Sequence, residues 1–466
     1  MLSEDILYLP LRELGKNLRE KKFSPVELTE SYLGRSERLN SQLSAYVTIT
    51  RELALEQARA AEKEITAGHY RGPLHGIPYA AKDLLAVKGY PTTWGAKPYA
   101  SQEFDYNATV IERLNAAGAI LIGKAAMIEL AGGMNYRFAS ASLTGAAKNP
   151  WNAGCWTCGS SSGSAAIVSA GLGAFAIGTE TWGSIICPAA FCGISGLRPT
   201  FGRVSRYGAM ALAYSQDKIG SMARTADDCA LVLEVIAGHD ALDRGSLAPE
   251  EAAFAYSAAN AAPPRIGWLT NAWAKPAPDI AAATQAAADL LKQHGAKISD
   301  ARLPEGPYEA AAGTIVSVEG VAAFRSLLDS GKVAELADPL GQINGYVSEQ
   351  ISASDYMQAL QIRGVFQKRV DALFDEFDVV MAASLPVAAT TLETNLETGL
   401  NFADPLGGLG NLCGLPAISV PCGFTPEKLP VGIQFMARAR NDRDVVAAAN
   451  LFQQHSDWHT KRPPIS

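Results

Sequence analysis

The chain has no apolar run long enough to cross a bilayer. Its longest, Ala165 to Gly178, falls short of the roughly 20 residues a spanning helix needs and is rich in glycine and serine, so it reads as a buried helix. The N-terminus, Met1-Leu2-Ser3-Glu4-Asp5, lacks the basic region and apolar core of a signal peptide. Seven cysteines in 466 residues are too few and too odd in number for a disulfide framework, which points to a reducing cytoplasm. Basic charge is short as well: a net charge of -7 argues against a nucleic-acid or anionic-membrane partner. A small, largely uncharged substrate fits better, met by a monomer or homodimer. No Walker pattern or dinucleotide fingerprint follows a strand, which makes phosphate binding a poor second, and no internal repeat is present.

The most informative absence is local. From Asn149 to Thr179 there is no charged residue, and this region holds Gly159-Ser160-Ser161-Ser162-Gly163-Ser164 and runs into Gly178-Thr179-Glu180-Thr181-Trp182-Gly183-Ser184. Glycines let backbone N–H groups approach a bound oxygen, and clustered serines supply a nucleophile and proton carriers. The combination suits acyl transfer. For either loop alone, a flexible or anion-cradling turn is the competing reading.

Ser24-Pro25-Val26-Glu27 offers an N-cap, a proline at N1 and a capping-box glutamate, with Phe23 as a staple, so a helix starts there. Helices are expected over Glu52–Ala67, Asn107–Ala117, Ala125–Ala131, Ala226–Gly238, Asp279–His294 and Ser354–Glu376. Strands are expected over Ile77–Leu85, Ala119–Ile122, Val379–Ala383 and Ala417–Val420. Their alternation predicts an α/β fold. Ser257 to Pro264 reads as a surface crossing, and Thr390 to Gly410 as either a lid or a variable insertion.

Lys82 lies in the strand Ile77-Pro78-Tyr79-Ala80-Ala81-Lys82-Asp83-Leu84-Leu85, on the face shared with Ala80 and Leu84. Desolvation there would keep it neutral and make it a base, whereas a strand-end lysine can also reach water or pair with Asp83. Ser184 follows Thr181-Trp182-Gly183, whose successive N–H groups can form an anion nest, and the intervening helix can return Ser160 beside it.

The segment Gly159 to Pro199 resembles the signature of the amidase signature family of serine hydrolases. Gly72-Pro73-Leu74-His75-Gly76-Ile77-Pro78 with Lys82-Asp83, Gly123-Lys124 with Glu129-Leu130, and Lys148-Asn149-Pro150-Trp151 are similar to it too. So are Gly196-Leu197-Arg198-Pro199, Gly202-Arg203-Val204-Ser205-Arg206-Tyr207-Gly208, Asp217 with Ile219-Gly220, and Gly414-Leu415-Pro416-Ala417-Ile418-Ser419-Val420-Pro421. Only about 240–390 lacks clear markers. The resemblance implies one α/β/α domain over 1–466 with a central mixed twisted sheet. An N-terminal helical region would cover about 1–68, the signature core about 70–235, and a C-terminal return about 410–455.

By the resemblance, Ser184 matches the nucleophile, Ser160 a bridging serine in cis-peptide geometry, and Lys82 the general base. Thr181, Trp182, Gly183 and Ser184 match the oxyanion hole, and Met134, Asn135 and Tyr136 lie in a segment approaching the cleft. No metal or organic cofactor is implied. The family usually has glycine at Trp182 and arginine at Ile186, the latter paired with an acid at the Glu180 position. Trp182 and Ile186 are therefore expected to shape the acyl pocket, and Glu180 needs another partner.

Three other motifs compete. Gly159-Ser160-Ser161-Ser162-Gly163 fits a nucleophile elbow with Ser161 central, but no apolar strand precedes it. Ser215-Gln216-Asp217-Lys218 has the serine-x-x-lysine spacing without companion motifs. Cys155-Trp156-Thr157-Cys158 has no second ligand pair, and with Cys187, Cys192, Cys229, Cys413 and Cys422 it reads as reduced thiols. The expected activity is cleavage of a C–N acyl bond in a small amide, anilide or carbamate. The alternatives are a glutamine-hydrolysing subunit of a tRNA-dependent amidotransferase and a non-catalytic scaffold.

Overall fold

Thirteen strands form among the described residues: β1 (Tyr46–Ile49), β2 (Pro78–Lys82), β3 (Ile120–Ala125), β4 (Lys148–Asn149), β5 (Asn152–Trp156), β6 (Phe175–Glu180), β7 (Ser195–Arg198), β8 (Lys218–Ala223), β9 (Arg265–Leu269), β10 (Lys297–Ala301), β11 (Val379–Ala383), β12 (Ala417–Phe424) and β13 (Pro430–Ala437). The computed structural model describes residues 2–257, 263–272, 275–399 and 404–465. Eleven of these strands build one sheet in the order β1-β3-β2-β6-β8-β7-β12-β13-β11-β9-β10, and β4 and β5 pair separately. The sheet is mixed. β2 runs parallel to β3 and β6, and β9 parallel to β10 and β11, whereas β6 and β8, β8 and β7, and β12 and β13 are antiparallel.

Strands β2, β3, β6, β8 and β13 are buried at every residue, because helices flank the sheet. Ser24 caps the helix Pro25–Leu43 with its reciprocal Glu27 contact, as its sequence predicts, and Phe23 is buried. The helix Ser162–Ser169 packs so tightly that a Cβ at Gly163 would sit 2.2 Å from the Ala45 carbonyl oxygen and 2.5 Å from the Ala126 nitrogen. Among the described residues no helix is long and apolar enough to cross a membrane.

Two expected helices differ. The apolar run Ala165–Gly178 contains the end of the helix Ser162–Ser169 and then enters β6, since Ala170 to Ala174 turn the chain before a second buried element. Ala125–Ala131 is not helical. Ala125 ends β3 opposite Lys82 and Tyr46, and Leu130 and Ala131 take left-handed φ values of 51° and 55° in a short turn. The strand expected over Ile77–Leu85 is confined to Pro78–Lys82. Most of the Ser257–Pro264 crossing, 258–262, lies outside the described residues, as do 400–403 of the Thr390–Gly410 stretch.

Candidate active site

Because β2 and β6 are parallel neighbours, their C-terminal ends emerge at one edge of the sheet, the usual position for ligands in α/β proteins. Lys82 is the last residue of β2, and Thr179 and Glu180 are the last two of β6. The turn after β5 delivers Ser160 and Ser161 to the same place, through a Gly159–Ser160 peptide that is cis, the geometry the resemblance implies for Ser160.

Lys82 is fully buried. Its Nζ lies 2.8 Å from Ser160 Oγ, 2.9 Å from Ser161 Oγ and 2.9 Å from Thr179 Oγ1, and no carboxylate among the described residues pairs with it. Burial pushes its pKa down to about 7, against the opposing pull of Asp217 and Glu180. The competing expectation of a Lys82–Asp83 pair is not met: Asp83 pairs instead with buried Lys124 at 2.9 Å and accepts from the Thr93 amide.

Ser184 follows Gly183, whose φ of 79° turns the chain sharply after β6. Its carbonyl accepts from the Ser161 amide at 3.3 Å, which joins the two serine turns. No hydrogen bond links Ser160 Oγ to Ser184 Oγ among the described residues, and the N–H groups of Trp182, Gly183 and Ser184 are likewise without protein acceptors. Contacts of this kind commonly tighten only around substrate.

Glu180 has found its partner. Arg198 Nη1 lies 2.6 Å from Oε1 and Asn411 Nδ2 2.9 Å from the same oxygen, while Oε2 accepts from the Ile185 and Ile186 amides at 2.8 and 3.0 Å. Burial alone would raise the carboxyl's pKa, but Arg198 and these donors hold it down at about 2.

A cavity of about 480 Å³ opens at Ser184, walled by Gly159 and Thr181–Gly183 on one side and by Asn135, Tyr136, Leu340 and Asp404 on others. Trp182 is 37% exposed and reaches the helix Tyr308–Ala323, where a Cβ on Gly313 would be 3.8 Å from its ring. Met134 and Ile186, expected to line the pocket, are instead packed in the core, Met134 beside Gly345 and Leu328, Ile186 among Leu406 and Leu409. Ser161 is buried against Lys82 and the Thr179 carbonyl, with no histidine bonded to it among the described residues. All seven cysteines are buried and free.

Sequence reasoning did not single out Asp404 or Thr179. Asp404 is 5% exposed; its Oδ1 accepts from Gln434 and the Leu406 amide, and its buried Oδ2 has no partner among the described residues and faces Gly183. Burial and the charge of Glu180 raise its pKa to about 6, and burial followed by the Asp404 charge raises Glu309 to about 7. A signal existed: Asp404 is the only charged residue between Glu397 and Glu427.

The profile of the Amidase family matches residues 27–446. The chain belongs to the amidase signature family. It is thus an amidase-family hydrolase. A glutamyl-tRNA(Gln) amidotransferase subunit of Methylococcus capsulatus is 37% identical, over 97% of this chain and 98% of the relative. The native peptide amidase of Stenotrophomonas maltophilia superposes with a TM-score of 0.87 at 27% identity, covering 99% of each chain. The corresponding glutamyl-tRNA(Gln) amidotransferase subunit of Thermotoga maritima gives a TM-score of 0.80 at 26% identity, over 98% of this chain and 96% of that one.

These amidotransferase relatives overturn the expectation of a chain that meets only a small amide or carbamate, as a monomer or homodimer with no nucleic acid. They are named as subunits, of an enzyme named for glutamyl-tRNA(Gln). A net charge of -7 averages over the whole surface and does not report what one face meets.

Proposed function

We propose that this chain hydrolyses a primary carboxamide by acyl transfer through Ser184 and releases ammonia, with glutamine as substrate and a tRNA-dependent amidotransferase assembly as its setting. The observation that carries the chemistry is the buried, hydroxyl-bound Lys82, whose amine is half neutral near pH 7. Neutral Lys82 takes the Ser160 proton as Ser160 takes that of Ser184, and Ser184 Oγ bonds to the carboxamide carbon. The oxyanion is received by the free N–H groups of the Trp182–Ser184 turn. As the C–N bond breaks, the same relay returns the proton to nitrogen and ammonia leaves. Water then attacks the acyl-enzyme, gives its proton to the relay, and Ser184 is restored as the acid departs.

Glutamine is supported by the relatives and by Asp404, whose unpartnered oxygen offers an ammonium group a place beside Gly183. A second reading is an aryl or alkyl amide, anilide or carbamate. It is favoured by Trp182 at the mouth and by the lack of a cationic side chain in the described wall of this cavity to meet a glutamine carboxylate.

Rates of ammonia or amine release from glutamine, pentanamide, anilides and aryl carbamates, for wild type and Ser184→Ala, separate these readings. Preference for glutamine supports the first, and preference for anilides or carbamates replaces it with the second. Activity retained in Ser184→Ala would refute the nucleophile. Failure of wild type to turn over any substrate or to be labelled by a fluorophosphonate would favour the non-catalytic scaffold.

A further inference from the structure

The last backbone pair of β6 with β8 is Glu180 with Lys218, so the next pair outward sets Thr181 across from Asp217. Side chains alternate along a strand, which puts these two on the face of Thr179 and Ile219 and away from that of Glu180 and Lys218. Thr181 Oγ1 accordingly donates to Asp217 Oδ1 at 2.6 Å, the length of a charge-assisted bond. Asp217 is itself fixed: its Oδ2 accepts from the Leu212 amide at 2.8 Å, and both its oxygens accept from the Ala213 amide at 3.1 Å. Thr181 and Leu212 both wall the cavity at Ser184, so one carboxylate ties two parts of that wall together.

The turn that this bond steadies has few other holds. Gly183 has no side chain, and Trp182 is turned partly to solvent. Among the described residues the contact with Asp217 is the one side-chain hydrogen bond made from Thr181 to Ser184. The backbone is tied through its carbonyls, that of Gly183 to the Cys187 amide at 2.8 Å and that of Ser184 to the Ser161 amide at 3.3 Å. The N–H groups that would receive an oxyanion are not tied, and their aim depends on where the turn begins. Donors aimed at developing charge act in the transition state, where a misdirected N–H costs rate before it costs binding.

We propose that Asp217 is a positioning residue for the acyl transfer, holding Thr181 so that the amides of Trp182, Gly183 and Ser184 meet the oxyanion. It works through Thr181 Oγ1 rather than by touching the reacting atoms. Its charge bears on the base as well, being the foremost of the two carboxylates that pull the Lys82 pKa up against burial. Base and oxyanion turn thus lean on one side chain. The inference rests on Ser184 being the reacting centre.

The test is Thr181→Val, which keeps the shape of the side chain and removes its hydroxyl. With pentanamide, kcat should fall about 10- to 100-fold while KM stays within about threefold. The rate of fluorophosphonate labelling at Ser184, whose phosphoryl oxygen needs the same N–H groups, should fall in parallel. Thr181→Ser keeps the hydroxyl and should recover about fivefold or more of the loss. Asp217→Asn should lose at least as much kcat as Thr181→Val, and joining the two should cost less than about threefold more, because one contact is lost only once. A kcat for Thr181→Val within about twofold of wild type, a loss confined to KM, Thr181→Ser as slow as Thr181→Val, or losses that multiply in the double variant would overturn the positioning role. Should Asp217→Asn fail to fold, the two Thr181 variants decide alone. Wild-type turnover and labelling that Ser184→Ala abolishes would leave the Ser184 reading standing in each of those cases. Activity retained in Ser184→Ala, or a wild type that neither hydrolyses nor labels, would remove that reading and this one with it.

Discussion

The acidic limb of the rate profile should belong to Lys82. With a pKa of about 7, half the chains hold the neutral amine at pH 7, about a tenth at pH 6 and about a hundredth at pH 5. Because only the neutral form accepts the Ser160 proton, kcat/KM should fall tenfold per pH unit below 7 and level off above 8. Asp404 and Glu309 titrate in the same region, at about 6 and about 7, and their ionised forms attract cationic substrates. Pentanamide removes that complication because it carries no charge. Initial rates of ammonia release from pentanamide between pH 5 and 9 are then the assay. Lys82→Ala should cost roughly 10²–10⁴ in kcat/KM. Asp217→Asn offers a sharper check, since the Asp217 charge raises the Lys82 pKa and its removal should move the limb toward lower pH. A limb that stays in place in Lys82→Ala, or moves to higher pH in Asp217→Asn, would refute the assignment.

Arg198→Met leaves Glu180 buried without its cation and should destabilise the fold by about 3–5 kcal/mol in urea denaturation. An unchanged midpoint would mean that Asn411 and the two amides suffice. Ser161→Ala removes one of three hydroxyls around Lys82 but not the expected relay, so activity should fall yet persist, whereas Ser184→Ala should remove fluorophosphonate labelling entirely. Asp404→Asn should raise KM for ammonium-bearing amides above pH 6 and leave pentanamide unaffected. Below pH 6 the wild type, its own carboxyl protonated, should converge on the variant, and divergence there would count against the contact.

Much of this architecture is readable in the chain because local signals and burial agree. Ser24 and Glu27 cap a helix whose start depends on nothing distant, and β11 occurs where its unbroken apolar run lies. Prediction failed where tertiary contacts decide. An all-apolar run such as Ala165–Gly178 has no period to separate a buried helix from a buried strand, and Ala125 is taken by β3 because Lys82 and Tyr46 stand on either side of it. At the site, Lys82, Ser160 and Ser184 were marked by type and neighbourhood. Asp404 was not. Its significance lies in an oxygen left without a partner among the described residues, which only the folded arrangement reveals.

One carboxylate has a wider reach than its position suggests. Glu180 fastens the first amides of the helix after Ser184 on one oxygen, and Arg198 of β7 and Asn411 of the segment after Asp404 on the other. The floor under the nucleophile and the far wall of the cavity therefore share a single rivet. Anything that displaces the 404–412 segment, including a partner surface pressing on it, will be transmitted to the turn that carries Ser184. Asn411→Leu should accordingly register as a loss of turnover although Asn411 is not among the residues lining the cavity.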